Sequence, residues 1–189
     1  MRTAKKRGRL IVISAPSGCG KTTIVERLLE RNKNLTRSIS YTTRPPRQGE
    51  KNGKDYFFIS EKEFIDQECG SFFLESANVF GHLYGTSKKF VADLLSKGKD
   101  VILAIDVQGM KQLHQNASAE FPVVSIFLMP PSHEALRHRL FKRKTETKSE
   151  IDERLRVARA EMAARTLYNY VVVNRRIDQA VKAIEGVLK

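Results

Sequence analysis

Tryptophan is absent from the 189-residue sequence, cysteine occurs only twice, and no apolar run is long. With Cys19 and Cys69 alone, the chain cannot form the disulfide framework of a small secreted protein. Because no apolar run approaches the roughly 20 residues of a membrane span, a transmembrane helix is not expected. These absences favour a cytoplasmic globular protein that is stabilised by an ordinary hydrophobic core.

Acidic residues are few relative to basic ones. The chain has 34 lysines and arginines against 21 aspartates and glutamates, which gives a formal net charge of +13 at pH 7. This excess indicates negatively charged partners, such as nucleotides, nucleic acid or an acidic membrane. The basic residues of the first nine positions are typical of a solvated tail, and no basic run alternates with aromatic residues. We therefore expect no specific nucleic-acid partner and no membrane partner.

One stretch near the N-terminus combines a strand, a loop of small residues and a helix. The β-branched run Ile11–Ile13 precedes the loop, and an amphipathic helix pattern extends to Arg31. Small residues in such a loop let backbone N–H groups converge at a helix N-terminus, where they bind anions. A chance glycine-rich turn is the alternative, which a Gly-Lys-Thr sequence directly after a strand disfavours. The predicted triphosphate site comprises Ala15, Pro16, Ser17, Gly18, Cys19, Gly20, Lys21, Thr22 and Thr23.

Three side chains of this loop have chemistry that bears on nucleotide binding. Lys21 can reach the outer phosphates, and the hydroxyl group of Thr22 can ligate Mg²⁺. Cys19 stands at a helix N-terminus beside a lysine, so we hypothesise a lowered thiol pKa and an activity that is sensitive to oxidation. The loop departs from the pattern G-x-x-x-x-G-K-[ST] at one position, where Ala15 replaces the first glycine.

Strands and helices alternate after the loop. Val101–Asp106 and Val123–Leu128 predict buried strands, and Tyr170–Val173 is predicted to be the last core strand. Asp106 stands at the carboxyl end of its strand, where open α/β sheets bind ligands. The alternation indicates an α/β fold in which a parallel sheet is covered by helices on both faces.

Two capping patterns and one run of short strands refine this picture. Residues 38–86 interrupt the alternation with short strands and turns, which predicts a small inserted lobe of mixed α/β structure. Ser60 with Glu63 predicts a capping box for a short helix inside that lobe. Ser149 with Asp152 is predicted to cap a long helix near the C-terminus.

A second group of residues, inside the lobe, has the chemistry of a mononucleotide site. Arg44 and Arg47 lie three residues apart beside prolines and can face one phosphate, with Tyr56 and Tyr84 as further donors. The carboxylate of Glu75 can accept hydrogen bonds from N1–H and the 2-amino group of guanine, whereas adenine has no proton on N1. Such a site discriminates by ~10⁴-fold or more. From spacing alone, surface arginines and a solvated Glu75 remain an equally open alternative.

Seven segments of the chain occur together in one known family. They are Ser14-Ala-Pro-Ser-Gly-Cys-Gly-Lys21, Ser40-Tyr-Thr-Thr-Arg44-Pro-Pro-Arg47-Gln-Gly-Glu50, Asn52-Gly-Lys-Asp-Tyr56, Phe73-Leu-Glu75, Tyr84-Gly85-Thr86, Ile105-Asp106-Val-Gln-Gly109 and Val172-Val-Asn174. In this order, and without large gaps, they closely resemble guanylate kinase.

The resemblance implies phosphoryl transfer from ATP to GMP, with Mg²⁺ as the cofactor of ATP and dGMP as a further acceptor. It implies a core domain of residues 1–37, 87–135 and 155–189, a GMP-binding lobe of residues 38–86 and a closing helical lid of residues 136–154. Asn174 is implied to lie near the adenine of ATP. The implied catalytic residues are Lys21, Arg47, Arg139, Arg143 and Arg154. The implied GMP-binding residues are Ser40, Arg44, Arg47, Tyr56, Glu75, Tyr84, Thr86 and Asp106, and the implied metal ligands are Thr22 and Asp106.

The chain departs from the family pattern at two further positions. Ala104 stands where relatives usually carry an acid, which leaves Asp106 as the nearest carboxylate for a metal or GMP contact. Lys144 replaces a glycine of the lid, which predicts a stiffer hinge.

Three other functions compete with the kinase. Guanylate-kinase-like scaffold modules hold phosphorylated peptides without catalysis, but their phosphate loops are usually degraded, whereas Gly20-Lys21-Thr22 is intact here. Nucleic-acid binding through the basic surface is a second alternative, and a kinase of another monophosphate is a third, which Glu75 disfavours. The oligomeric state stays open.

Overall fold

A computed structural model describes residues 7–116, 121–142 and 147–189. These ranges contain nine strands, seven α-helices and one short 3₁₀ helix (Ala164–Leu167). The strands are β1 (Leu10–Ser14), β2 (Leu35–Arg37), β3 (Tyr41–Thr42), β4 (Phe57–Phe58), β5 (Phe73–Val79), β6 (His82–Ser87), β7 (Asp100–Leu103), β8 (Val123–Met129) and β9 (Tyr170–Val173). The helices are α1 (Lys21–Arg31), α2 (Glu61–Cys69), α3 (Lys88–Ser96), α4 (Val107–Asn116), α5 (His133–Lys142), α6 (Lys148–Ala163) and α7 (Ile177–Leu188).

The strands form two sheets, and the chain divides into two compact units. One sheet has five strands (β2, β7, β1, β8 and β9) and the other has four (β4, β3, β6 and β5). The first unit comprises Met1–Leu10, Asn34–Leu103 and Gln108–Val123, and the second comprises Ile11–Lys33, Ala104–Val107 and Val124–Lys189. The α/β class, with a parallel sheet flanked by helices and an additional mixed sheet, is confirmed.

The first unit contains the four-stranded mixed sheet. Strands β5 and β6 form an antiparallel hairpin in which Glu75 faces Thr86, and β3 pairs antiparallel with β6 and parallel with β4. Aromatic rings join this sheet to α2. The ring of Phe64 in α2 stacks on that of Phe73 in β5, with 4.5 Å between the centroids. In the same unit β2 pairs parallel with β7. The hairpin therefore brings residues 11 positions apart into direct contact.

The second unit contains the phosphate loop and the long C-terminal helices. Strands β8 and β9 are parallel, with Ile126 facing Tyr170. Helices α5 and α6 pack through the buried residues Leu136, Leu140, Ile151 and Ala158, with Leu155 against them. The apolar residues of α6 therefore lie on one helix face, which packs against α5.

The structure changes three predictions for individual elements. Helix α6 is capped by Thr147 and Glu150, not by Ser149 and Asp152. The Glu150 carboxylate accepts from the Thr147 backbone N–H at 2.7 Å, which closes a complete capping box, the same arrangement that Ser60 and Glu63 form at α2. The two patterns overlap in the sequence, and Ser-x-x-Asp lacks the longer glutamate side chain that reaches back to the cap.

Strand β9 is an edge strand, which makes the prediction of a core strand wrong. Val172 is buried, whereas Tyr170, Val171 and Val173 are each about half exposed. An edge strand has a neighbour on one side only, so apolar composition alone does not guarantee burial. The strand predicted over residues 101–106 is also shorter than expected, because β7 ends at Leu103 and Asp106 lies in the turn before α4.

We predict that Gly85→Ala destabilises the first unit. A Cβ atom at this position would lie 2.7 Å from Cδ1 of Phe73 and 3.0 Å from Cζ of Phe64, whose rings are already stacked. Overpacking of this kind costs about 1–3 kcal/mol of unfolding free energy, which urea denaturation measures.

Gly186→Ala is the matched control for this variant. Gly186 lies exposed in α7 and a Cβ atom there meets nothing within 4 Å. Its replacement is expected to be neutral or to stabilise the helix by up to about 1 kcal/mol. Equal unfolding midpoints for the two variants would contradict the packing described around Gly85.

Candidate active site

The phosphate loop begins where β1 ends and leads directly into α1. Gly18 and Gly20 both have a φ angle of 86°, in the left-handed region that favours glycine. A Cβ atom on Gly18 would lie 2.8 Å from Leu140 Cδ2, and one on Gly20 would lie 3.0 Å from Asn174 Nδ2. Gly20 caps α1 without a side-chain hydrogen bond, so the first N–H groups of the helix are not claimed by a capping side chain. The glycines are therefore required by backbone geometry and by space.

Lys21 contacts the loop that joins β7 to α4. Its Nζ atom donates to the backbone oxygen of Ile105 at 2.9 Å. Asp106 is the next residue along the chain, and Thr22 follows Lys21 at an exposed position in the first turn of α1. Within the second unit, the predicted lysine and the two predicted oxygen ligands thus belong to adjoining segments.

Asn174 is joined to the phosphate loop by a hydrogen bond. The side chain is fully buried, and its Nδ2 atom donates to the backbone oxygen of Cys19 at 2.7 Å. Its own backbone oxygen accepts from Nη2 of Arg139 at 2.9 Å. One residue therefore connects the phosphate loop to a predicted catalytic arginine, while its role near adenine stays a prediction.

Arg154 reaches the loop from α6. Its Nη1 atom donates to the hydroxyl oxygen of Ser17 at 2.8 Å. The structure thus places two of the three implied lid arginines, Arg139 and Arg154, in the second unit beside elements of the loop. The third, Arg143, lies outside the described residues, as does Lys144.

Arg44 is fixed in the first unit by several hydrogen bonds. Its Nη2 atom donates to both carboxylate oxygens of Glu50, at 2.9 and 3.0 Å, and Nη1 donates to the backbone oxygen of Pro45 at 2.8 Å. Its Nε atom donates to the hydroxyl of Tyr84 at 3.2 Å. Burial alone would lower the pKa of Arg44, but the bonds to Glu50 and Tyr84 outweigh it and raise that pKa. The guanidinium therefore stays charged and keeps one orientation.

Glu50 is a site residue that the sequence reasoning missed. It accepts from the backbone N–H of Arg47 at 2.7 Å as well as from the Arg44 side chain, so it orients the Arg44 guanidinium and restrains the backbone of Arg47. Burial opposes its ionisation, yet these bonds hold its pKa below the ordinary value. The available signal was an acid three residues after Arg47 in the Arg-Pro-Pro-Arg-Gln-Gly-Glu segment.

Two tyrosines of the predicted mononucleotide site lie beside this arginine. The ring of Tyr56 is 5.4 Å from Cζ of Arg44 and 5.9 Å, between centroids, from the ring of Tyr84. Arg47 is exposed, and Ser40 is half-buried at the start of β3, where its backbone oxygen accepts from Phe57 N. Arg44, Tyr56 and Tyr84 thus lie together in the first unit.

Glu75 and Thr86 form a buried polar pair in the hairpin. They face each other in the β5–β6 register, and they are 4% and 0% exposed. The Thr86 hydroxyl donates to Oε1 of Glu75 at 2.5 Å. The alternative of a solvated Glu75 is therefore excluded, and a carboxylate with fixed orientation remains.

The predicted site residues fall into two groups, one in each unit. The loop residues, Asn174, Arg139, Arg154 and Asp106 lie in the second unit. Ser40, Arg44, Arg47, Tyr56, Glu75, Tyr84 and Thr86 lie in the first unit.

Glu161 is a second residue that the sequence reasoning missed. It lies in α6, seven residues after Arg154 and hence near the same helix face, and it is half-buried. Burial raises its pKa to about 7, with a smaller increase from the charge of Asp106 and a decrease from Lys21. Burial likewise raises the pKa of the Tyr168 hydroxyl. No sequence motif marked Glu161, because its environment depends on how α6 packs.

The thiol of Cys19 contradicts the prediction of a reactive cysteine. It is 0% exposed and donates to the backbone oxygen of Leu128 at 3.6 Å. Burial raises its pKa to about 11, although the charges of Arg139 and Lys21 act in the opposite direction. The desolvation of the thiolate therefore outweighs the neighbouring cations, and Cys19 is a packing residue of the loop.

Two other kinds of site are absent from the described ranges. None of their histidines, cysteines, aspartates and glutamates come together in a group of three or more that could hold a metal ion. No helix in these ranges has the length and apolar character needed to cross a bilayer.

Comparison with known proteins gives one consistent family. The family model described as "Guanylate kinase" matches residues 7–189. A guanylate kinase of the Wolbachia endosymbiont of Brugia malayi is 50% identical over 184 residues, covering 97% of this chain and 93% of the relative. One from Nitrosomonas europaea is 45% identical over 181 residues, covering 95% and 88%. The crystal structure of guanylate kinase from Anaplasma phagocytophilum superposes with a TM-score of 0.80 at 37% identity, covering 98% of this chain and 86% of that one.

We predict that one thiol per chain reacts in the native protein at pH 8. Cys69 is exposed, whereas Cys19 is buried with a raised pKa, so an aromatic disulfide reagent should modify Cys69 alone. The second thiol should react only after unfolding in guanidinium, and Cys69→Ser should show no fast-reacting thiol. Rapid reaction of both native thiols would contradict the burial of Cys19.

We predict that Glu161→Gln changes how stability depends on pH. A carboxyl whose pKa is 4.5 when unfolded and about 7 when folded favours folding at low pH, and this contribution is lost as the pH rises through 7. The variant should therefore gain stability relative to the parent between pH 5 and pH 8, by on the order of 3 kcal/mol.

Denaturant unfolding without nucleotide and with a chelator tests this prediction. Glu26→Gln, at an exposed position of α1, is the control for the loss of one negative charge. A stability difference that does not change with pH for Glu161→Gln would rule out a raised pKa.

Proposed function

The chain belongs to the guanylate kinase family, and from that premise we propose that it transfers the terminal phosphoryl group of ATP to GMP, giving ADP and GDP. The observation that carries this assignment is the buried Glu75–Thr86 pair, which offers a fixed carboxylate to a base that has hydrogen-bond donors. The intact phosphate loop favours catalysis over phosphopeptide binding. The proposed acceptors are GMP and dGMP, and the proposed location is the cytoplasm.

ATP is proposed to bind at the phosphate loop of the second unit. The backbone of residues 15–23 would surround the phosphates, and Lys21 would exchange its contact with Ile105 for a phosphate oxygen. The Thr22 hydroxyl and the Asp106 carboxylate are oxygen donors of the kind that Mg²⁺ prefers, so these residues fit the metal. When bound, Mg²⁺ neutralises part of the triphosphate charge and orients it.

GMP is proposed to bind in the lobe of the first unit. Arg44 would contact the phosphate with a guanidinium that Glu50 already orients, and Arg47, Tyr56 and Tyr84 would add further donors. Glu75 would accept from N1–H and the 2-amino group of guanine, and Thr86 keeps that carboxylate in place. Adenine presents no donor at N1, which leaves the buried carboxylate unpaired and disfavours AMP.

The chemistry needs little from the protein beyond alignment and charge. A phosphate oxygen of GMP is already a nucleophile, so no general base is proposed. Lys21, Arg47, Arg139, Arg143 and Arg154 are proposed to offset the charge on the transferring group. An arginine in this role is worth about 10³–10⁵ in rate in related phosphoryl transfers. The proposed domains remain a core (1–37, 87–135 and 155–189), a GMP lobe (38–86) and a lid (136–154).

We predict that Lys21→Ala reduces kcat by at least about a hundredfold while the fold is retained. The loss of a preorganised cation at the phosphates removes transition-state stabilisation. A coupled assay of ADP release with ATP and GMP measures the rate, and circular dichroism checks the fold. The exposed Lys182 of α7, changed to alanine, is the control for a lost charge. Comparable rates in the two variants would contradict the proposed ATP site.

We predict that Glu75→Gln erodes the preference for GMP over AMP by about tenfold or more. The amide can accept only one of the two guanine hydrogen bonds, and its NH₂ group opposes the other donor. The same assay, run with ATP and each nucleoside monophosphate in turn, gives kcat/KM for both substrates. An unchanged ratio would refute the assignment of Glu75 to guanine.

A further inference from the structure

Strand β5 lies at one edge of the four-stranded sheet, where no further strand of the described ranges pairs with it. It pairs with β6 on one side and is the last strand of the four-stranded sheet. Alternate backbone groups of an edge strand have no strand partner and must find another acceptor or donor. Along β5, Ser76 and Asn78 are two residues apart and therefore present their outward backbone groups on the same side.

Two glutamines of α4 bind this edge. Gln112 makes a two-point contact with Ser76, since its Oε1 accepts from Ser76 N at 2.8 Å and its Nε2 donates to Ser76 O at 2.6 Å. The Nε2 atom of Gln108 donates to Asn78 O at 3.1 Å. The amide of Gln112 therefore pairs with Ser76 in the way that a neighbouring strand would.

The spacing of the two glutamines matches the spacing of their partners. Four residues of an α-helix rise about 6.0 Å, and two residues of an antiparallel strand span about 6.8 Å. A helix with glutamines at positions i and i+4 can thus bind residues j and j+2 of a strand edge together. This match makes the contact a property of the fold and not of one flexible side chain.

The two-point contact acts on the peptide group next to Glu75. The N–H of Ser76 belongs to the peptide that follows the Cα of Glu75, so Gln112 restrains the ψ angle of Glu75. The pairing register shifts between Phe73 and Glu75, which places a bulge just before this residue. Bulges re-aim side chains but leave the strand locally without ladder hydrogen bonds. The anchor that follows the bulge therefore fixes the backbone of Glu75, while the Thr86 hydroxyl holds its carboxylate.

We propose that Gln112 is a positioning residue for guanine selection, because its contact with Ser76 fixes the backbone that aims Glu75. This inference rests on the proposed role of Glu75 in reading guanine. Gln112 does not touch the base and acts through the strand. The Ser76 hydroxyl adds a contact to Glu68 of α2 at 2.5 Å, which restrains the side chain of Ser76 but not its peptide.

The test compares GMP with inosine monophosphate, which lacks the 2-amino group. Gln112→Met keeps the side-chain length and removes both hydrogen bonds to Ser76. We expect the ratio of kcat/KM for GMP to kcat/KM for inosine monophosphate to fall about tenfold, mainly through KM for GMP, with KM for ATP unchanged. Any inactive fraction of the variant cancels in this ratio, so reduced stability alone cannot produce the result.

Gln108→Met is the matched control on the same helix. It removes one contact to Asn78, three residues beyond Glu75, and we expect the ratio to change less than twofold. A Gln108→Met ratio that falls as far as that of Gln112→Met would overturn the proposal, since loosening α4 from β5 in general would then suffice.

The double variant Glu75→Gln with Gln112→Met separates this inference from the proposed function. If Gln112 acts through Glu75, it should lower the ratio no further than Glu75→Gln alone. A normal ratio in Glu75→Gln would refute the guanine assignment itself. A reduced ratio in Glu75→Gln together with a normal one in Gln112→Met would refute only the positioning role, and so would fully additive losses.

Discussion

Cationic side chains held by protein oxygen atoms are the interaction on which this enzyme depends. Lys21 and Arg139 donate to the backbone oxygens of Ile105 and Asn174. Arg44 donates to both carboxylate oxygens of Glu50. A free lysine or arginine loses up to about 2 kcal/mol of side-chain entropy when it is fixed. Cations that are already oriented lose less of it when a phosphate arrives, so more of the interaction is available for catalysis.

Part of the net charge of +13 comes from the cations of the proposed site. Like charges repel, and Lys21, Arg139 and Arg44 each lie beside a carbonyl or a carboxylate. Glu50 illustrates the balance, because it offsets two arginines in the first unit while its own pKa stays low. Glu161 illustrates the opposite case, since its burial raises its pKa to about 7 and reduces the negative charge near Lys21 at neutral pH.

The parts of the site that lie within a few residues of one another could be predicted from the sequence. The phosphate loop and the capping box of α2 are local patterns whose geometry follows from residue type. Contacts over long separations could not be predicted. Asn174 meets Cys19 across 155 positions and Gln112 meets Ser76 across 36, and these contacts depend on which elements pack together. The prediction of a lowered thiol pKa for Cys19 was wrong for a related reason, because neighbouring charges can be identified from the sequence and burial cannot.

A crystal structure with GMP tests the central claim most directly, namely that fixed cations and one fixed carboxylate select and orient the acceptor. The account predicts the phosphate within about 3 Å of the guanidinium of Arg44 and the hydroxyl of Tyr84, with N1 and the 2-amino group of guanine on Glu75. A nucleotide bound away from Arg44, or one whose guanine edge does not face Glu75, would contradict it.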